Sequence, residues 1–122
     1  MKYYRIYCDP TGESHIGEAE VEQSLVNAAP PAPPLYISPF KPVTKCSFWT
    51  VPAGWDGGWH PAPNKQFFVV TSGVVEVEVS DGKVIRCGPG TIILLEDTWG
   101  KGHKSRVAGG VELQAFVVQL PT

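Results

Sequence analysis

Short runs of apolar residues, some of them alternating with polar ones, dominate the chain from residue 44 onward. "VVEVEVS" places Val75, Val77 and Val79 on one side and Glu76 and Glu78 on the other. This period of two is typical of a half-buried β-strand. The "DG" dipeptide that follows predicts a hairpin closed by a type I′ turn, in which both central residues have positive φ.

Further segments share the strand-like composition: "YYRIYC", "TKCSFWTV", "KQFFVVTSG", "TIILLE", "GHKSRV" and "ELQAFVVQL". "TIILLE" is apolar on both faces, which indicates a strand inside a sandwich. Gly and Pro separate the runs at regular intervals, and no 3.6-residue period is present. The pattern therefore predicts an all-β fold, either a β-sandwich or a small barrel.

The first third of the chain is less regular. "GEAEVEQSL" fits a strand or a short helical turn equally well. "AAPPAPPLYISPFKP" is too rich in proline for a helix or a central strand. It predicts an extended segment that wraps over the barrel and covers a sheet edge. We therefore expect residues 1–43 to form an N-terminal strand and a proline-rich arm, and residues 44–122 to form the barrel.

Composition narrows the class of protein. A chain of 122 residues with 43% hydrophobic and 18% charged residues fits one folded domain. A net charge of −2 gives no reason to expect nucleic-acid binding. Three cysteines without a CxxC pair argue against a thiolate zinc site and suit a reducing compartment. No apolar run is long enough for a signal peptide or a membrane span, so we expect a cytoplasmic protein.

Candidate chemistry lies in two glycine-flanked histidines. His60 and His103 each follow a glycine turn and enter a predicted strand. Strands of a small barrel can direct side chains to one interior point, so histidines 43 positions apart can be neighbours. Gln66 begins the next strand, on the face that also carries Phe68 and Val70. An inward Gln66 would bring its amide oxygen to a cation or a substrate.

The spacing around these residues resembles the cupin superfamily. Its first motif reads G-x5-H-x-H-x(3,4)-E-x6-G, and Gly54, His60, Ala62, Gln66 and Gly73 stand at the matching positions. Alanine replaces the second histidine of the motif, and glutamine replaces the glutamate. The resemblance implies a double-stranded β-helix, the jelly-roll barrel of cupins.

The second cupin motif, G-x5-P-x-G-x2-H-x3-N, matches less closely. Gly90 begins it, and the Gly100-x2-His103 spacing is retained. Thr98 takes the proline position after two additional residues, and Val107 takes the asparagine position. The match still places His103 where cupins have a metal-ligating histidine.

The family resemblance implies a divalent transition metal, such as zinc, nickel, iron or manganese, held by His60, His103 and Gln66. The set is neutral and lacks one imidazole, so affinity should be weaker than in usual cupins by roughly several kcal/mol. A carboxylate of Glu96 or Asp97 could supply the missing charge; the alternative is that both are solvated turn residues. No organic cofactor is expected.

Aromatic residues concentrate near the two histidines. We expect Trp55, Trp59 and Trp99 to line a pocket mouth together with His60, Gln66 and His103, as a stacking surface for a planar or sugar ligand. Ordinary packing in the core or a lid is the alternative for the tryptophans. Lys101 either meets an anionic substrate group or faces solvent.

Two classes of function remain open from the sequence. One is a metal-binding cupin that acts on a small organic acid or sugar-like metabolite as an isomerase, lyase or dioxygenase, with His60 and His103 at the reacting centre. The other is a metal-free cupin that binds a ligand without catalysis. Acid–base chemistry by either histidine without a metal is a third reading. The resemblance to cupins implies a homodimer. Exposed edge strands and the proline-rich arm would also suit pairing between the sheets of two chains.

Overall fold

A computed structural model describes residues 1–122 as twelve β-strands with no helix. The structure therefore has no helix that could cross a membrane. The strands are β1 (Lys2–Cys8), β2 (Ser14–Glu20), β3 (Ser24–Val26), β4 (Leu35–Ile37), β5 (Lys45–Val51), β6 (Asp56–His60), β7 (Gln66–Ser72), β8 (Val74–Val79), β9 (Val84–Cys87), β10 (Ile92–Leu95), β11 (His103–Ala108) and β12 (Leu113–Gln119). The expected all-β class is confirmed.

Two large sheets enclose one apolar core. The first has six strands in the order β2-β1-β10-β7-β12-β5, and the second has four in the order β6-β11-β8-β9. All pairings are antiparallel except that of β1 with β10, which is parallel. Both sheets contribute to the buried cluster: Ile6, Ile16, Ala62, Val70, Val75, Val77, Val79, Cys87, Ile93, Leu95, Val107 and Leu113. β1 and β2 thus belong to the same sheet as β7, β10 and β12.

The hydrophobic pattern of β8 and β10 agrees with the burial of their side chains. Val75, Val77 and Val79 of β8 are all buried, whereas the intervening glutamates are partly exposed. In β10, Ile93 faces the core and Leu94, on the opposite face, is also buried. The prediction that this strand is apolar on both faces is confirmed.

The turn of the β8–β9 hairpin differs from the prediction. Gly82 has φ of 97°, but Asp81 keeps a negative φ, which excludes a type I′ turn. The Gly82 N–H donates to the Val79 carbonyl, and the Val79 N–H donates to the Lys83 carbonyl. This pattern is a type I turn followed by a glycine bulge, which restores the strand twist with only one left-handed residue.

Residues before β5 form strands that the sequence left undecided or placed differently. The segment that fitted a strand or a helical turn is a strand in its first part, β2. The proline-rich region is framed by a separate ribbon, β3 paired with β4. From residue 22 to 43 no backbone hydrogen bond joins this ribbon to either large sheet. Four prolines lie in the connection between β3 and β4, and Pro39 and Pro42 follow β4. That the segment covers a sheet edge stays a prediction.

The side of the six-stranded sheet that points away from the core is also apolar. We call it the outer face: Phe48, Phe67, Val69, Phe116 and Val118. The rings of Phe48 and Phe116 are 4.9 Å apart, yet Phe48 is 85% exposed. The ribbon does not shield this face, since the ribbon's own apolar side chains are exposed as well.

A histidine between two carboxylates joins the β1–β2 turn to the β8–β9 turn. His15 lies in β2, with its Nε2 2.7 Å from Asp9 and its Nδ1 2.8 Å from Asp81. Hydrogen bonds to Asp9 and then Asp81 raise the pKa of His15. The pKa of Asp9 is lowered, first by His15, and that of Asp81 is lowered, first by the Lys83 N–H and then by His15.

These shifts predict a stability contribution with a defined pH window. The raised His15 pKa gives stability that is complete below the ordinary value of 6.5 and is lost as pH rises through the folded-state value. The lowered carboxylate pKa values give stability that is complete above 3.8 and is lost as pH falls. We expect His15→Gln to lower the urea midpoint of unfolding more at pH 5.5 than at pH 8.5. An equal loss of midpoint at the two pH values would contradict a stabilising charge on His15 between Asp9 and Asp81.

Candidate functional site

Two neighbouring strands bring the histidines together. β6 and β11 are antiparallel, and their register pairs His60 directly with His103. The ring centroids lie 4.9 Å apart with an interplanar angle of 56°. Both side chains line one cavity between the two large sheets. β6 was not predicted as a strand, because glycines and tryptophan interrupt its apolar pattern.

Hydrogen bonds at Nδ1 fix the orientation of both rings. His60 Nδ1–H donates to the Gly58 carbonyl at 2.9 Å. His103 Nδ1–H donates to Asp97 Oδ2 at 2.6 Å, in a buried setting. Neither Nε2 makes a hydrogen bond within the protein, so both Nε2 atoms are open to a ligand.

Asp97 is the site residue that the sequence could not assign. It is fully buried, so it is not a solvated turn residue, and one carboxylate oxygen, Oδ1, has no hydrogen-bond partner. Glu96, its neighbour, does not line the cavity and pairs instead with Arg5 at 2.6 Å and with Lys65 at 3.7 Å. The hydrogen bond to Glu96 raises the pKa of Arg5. Of the two candidate carboxylates, Asp97 alone contacts a histidine of the pair.

Gln66 faces the core side of β7, where the period-two count put it. It is 2% exposed and lines the same cavity as the histidines. Its Oε1 is buried without a hydrogen-bond partner. A buried unpaired acceptor costs about 1–3 kcal/mol. An oxygen in this state is suited to accept a hydrogen bond or a cation from a ligand.

Backbone packing holds His103 beside His60. Gly102 adopts φ of 72°, and a Cβ there would overlap the backbone of His60 and Pro61. Its carbonyl accepts a hydrogen bond of 2.6 Å from the Ser14 hydroxyl, which is itself buried. A glycine at this position therefore permits the close approach of β11 to the end of β6.

The N-terminal hairpin anchors the rest of the 96–102 loop. The Lys101 N–H donates to the Gly12 carbonyl at 2.9 Å, and the Lys101 ammonium pairs with Glu13 at 2.6 Å. The Cys8 thiol contacts the Trp99 carbonyl at 3.3 Å. Lys101 is thus engaged by Glu13 outside the cavity, and it does not line the site as a partner for an anionic substrate.

The cavity has a volume of about 460 Å³. Its walls consist of side chains from both large sheets and the loops that join them: Trp49, Thr50, Val51, Pro52, Trp55, His60, Pro61, Pro63, Gln66, Phe68, Val75, Val77, Ile93, Leu95, His103, Ser105, Val107 and Leu113.

The tryptophans that line the cavity are not all those that the sequence predicted. Trp55 lines the cavity, with its ring packed against the backbone of Gly57. Trp59 and Trp99 lie outside the lining, about half exposed, because β6 points Trp59 away from His60 and the hairpin holds Trp99 outward. Trp49 lines the cavity in their place and contacts Phe68 edge-to-face at 6.0 Å. Its inward position follows from the alternation of β5.

Several features agree with a metal ion at the paired histidines. The ring centroids of His60 and His103 are 4.9 Å apart, close enough for one ion to contact both rings. Gln66 offers an oxygen without another partner. Asp97 behind His103 reproduces the carboxylate–histidine arrangement found behind metal ligands. No cluster of three or more His, Cys, Asp or Glu side chains is present, so the protein supplies a neutral set of two imidazoles and one amide.

Comparisons with known proteins identify one family. Residues 47–119 match the family described as "Cupin domain", and no curated protein matches the chain. A conserved protein of unknown function from Streptococcus pyogenes is 20% identical, with 63% of this chain and 64% of that one covered and a TM-score of 0.45. The match thus spans less than two thirds of that relative.

Two other solved structures are similarly distant. A Neisseria meningitidis protein is 15% identical, with 82% and 84% of the two chains covered and a TM-score of 0.44. A cupin domain from Bordetella pertussis is 16% identical, with 63% of this chain and 80% of that one covered and a TM-score of 0.45.

The contact at Gly102 gives a test of the site's scaffold. Gly102→Ala should lower the free energy of unfolding by about 1–2 kcal/mol for its left-handed backbone and by about 1–3 kcal/mol more for the overlap with His60 and Pro61. Gly110→Ala is the matched control, since Gly110 also has positive φ, 70°, but open space around its Cβ. Equal losses in chemical denaturation would show that the contact does not constrain the site.

Proposed function

The chain belongs to the cupin domain family, and from that premise we propose that its cavity binds a small organic molecule beside a divalent transition-metal ion held by His60, Gln66 and His103. The observation that carries the proposal is the state of the donor atoms. Two imidazoles lie 4.9 Å apart with both Nε2 atoms unused, and a buried amide oxygen in the same cavity has no partner.

Each residue has a distinct part in this proposal. His60 and His103 offer Nε2, and Gln66 offers Oε1. Asp97 fixes the His103 tautomer and adds a negative charge behind it, which partly replaces the carboxylate ligand that the set lacks. A bound divalent ion would polarise a carbonyl or activate water, which fits an isomerase or lyase, or would activate dioxygen, which fits a dioxygenase. The surrounding apolar wall would exclude bulk water.

Metal binding separates this function from its alternatives. Protein purified without an affinity tag and loaded with zinc or nickel should retain about one ion per chain by elemental analysis. His60→Ala and His103→Ala should abolish retention, and Asp97→Asn should weaken metal affinity about 10- to 100-fold. His15→Ala, which removes a histidine outside the cavity, is the control. Retention by the His60 and His103 variants at the control level would contradict the proposal.

A metal-free, non-catalytic binding protein is the second candidate. Ala62 favours it, because this residue is 2% exposed in the core where the family motif has a histidine. The neutral donor set favours it too. Ligand binding that is unchanged by chelation would support this candidate. Activity that survives chelation but is lost in His103→Ala would instead indicate proton transfer at His103 Nε2, with Asp97 holding the ring.

We also propose that the chain forms a homodimer through its outer face and its β3–β4 ribbon. A two-stranded ribbon without further packing is at best marginally stable in water. Leu25, Leu35 and Tyr36 of the ribbon are 59%, 47% and 66% exposed. One chain thus carries both an unsupported apolar ribbon and an uncovered apolar sheet face, and two-fold pairing would bury both.

Charge reversal at the ribbon tests this assembly. The double variant Leu25→Glu/Tyr36→Glu should weaken dimerisation at least about 100-fold in sedimentation equilibrium, since each charge costs more than about 1.4 kcal/mol when buried. Val84→Glu, an exposed apolar residue on the four-stranded sheet, is the control and should leave dimerisation intact. A monomeric wild-type protein at micromolar concentration would refute the proposal.

A further inference from the structure

The cavity wall carries no charged side chain. None of the eighteen lining residues is Lys, Arg, Asp or Glu, and most are aliphatic or aromatic. Asp97 stays behind His103, hydrogen-bonded to its Nδ1, and does not line the space. A ligand that enters this cavity leaves water for a neutral, low-dielectric surrounding.

Cations near the cavity are engaged elsewhere. Arg5 and Lys65 pair with Glu96, and Lys101 pairs with Glu13. None of the three lines the wall. An ionised ligand group without a protein counter-charge would bear its full desolvation cost. The wall itself is therefore unsuited to an organic acid.

Polar groups in the wall are few. His60, Gln66 and His103 supply the nitrogen and oxygen acceptors, and Ser105 lies two residues from His103 on the same face of β11. A sugar presents many hydroxyl groups, and each one buried without a partner costs free energy. Five polar residues in a wall of this size, Thr50 among them, cannot satisfy such a ligand, but they can satisfy one small polar head.

Aromatic side chains line the rest of the space. Trp49 and Phe68 make an edge-to-face pair, and Trp55 adds a third ring at the partly exposed rim. Such surfaces favour flat apolar bodies. The volume lies in the lower part of the range of about 300–1,000 Å³ for small-molecule sites, which suits a body of one or two rings.

From these observations we infer that the ligand is a neutral, mainly apolar molecule of one or two rings with a single hydrogen-bonding head that carries a donor, such as an amide or alcohol. The inference rests on the proposed function, in that it takes this cavity as the binding site. It replaces the organic acid or sugar expected from the sequence. In the protein without a bound ion, the head meets His60, Gln66 and His103, and an N–H or O–H of the head donates to Gln66 Oε1.

An isosteric pair of probes tests the ligand class. 2-Naphthamide and 2-naphthoate have the same shape and differ in charge. Calorimetry on chelator-treated protein at pH 8 should show that the amide binds at least 10-fold more tightly than the carboxylate. Glucose at the same concentration should show no binding. Metal retention is measured separately on the same preparation, so the outcome for the ion does not decide the outcome for the ligand.

A variant within the wall tests directly whether the missing counter-charge limits carboxylate binding. Ser105 is partly exposed, so Ser105→Lys places a cation on the cavity wall without filling the core. It should raise naphthoate affinity at least 10-fold, whereas Ser105→Gln, of similar length but neutral, should not. Preference of the chelator-treated wild-type protein for naphthoate would overturn the ligand class alone. Absence of binding by both probes would overturn the proposed binding function itself.

Discussion

The pairing of β6 with β11 is the constraint on which the rest of the site depends. It sets His60 opposite His103, although 43 positions separate them, and it does so through backbone hydrogen bonds that no side chain needs to support. Gly102 makes the pairing tight, because any side chain there would meet the backbone of His60. A chain without this register would keep both histidines but have no shared centre.

Around the two histidines, the charged side chains lie outside the wall of the cavity. Asp97 is buried, but its contact is with the far side of the His103 ring. Glu96, Glu13 and their cationic partners lie outside the wall. The imidazoles therefore face an apolar cavity while a carboxylate orients one of them from behind. This arrangement serves a bound ion, a proton or a neutral ligand head without requiring a charged substrate.

Much of the fold could be predicted from local pattern, and much of the site could not. The alternation in β8 and the inward side of Gln66 follow from a period of two, which the sequence displays directly. Asp97 could not be assigned, because its burial depends on the N-terminal hairpin closing over its loop, and hydrophobic pattern carries no such information. The orientation of Trp59 depended on recognising β6 as a strand, and its glycines hid that strand. The pairing of β3 with β4 was not predicted, because proline density excludes central strands but does not say which short extended segments pair with each other.

The parallel pairing of β1 with β10 has a consequence for synthesis on the ribosome. Tyr4 aligns with Ile93, so the β1 edge that pairs with β10 has no partner until nearly ninety further residues have been translated. The contacts between the β1–β2 hairpin and the 96–102 loop must wait equally long. Contacts of such long sequence separation slow folding. A nascent chain must therefore keep β1 free of incorrect partners for most of its elongation, and the two imidazoles meet only after that wait has ended.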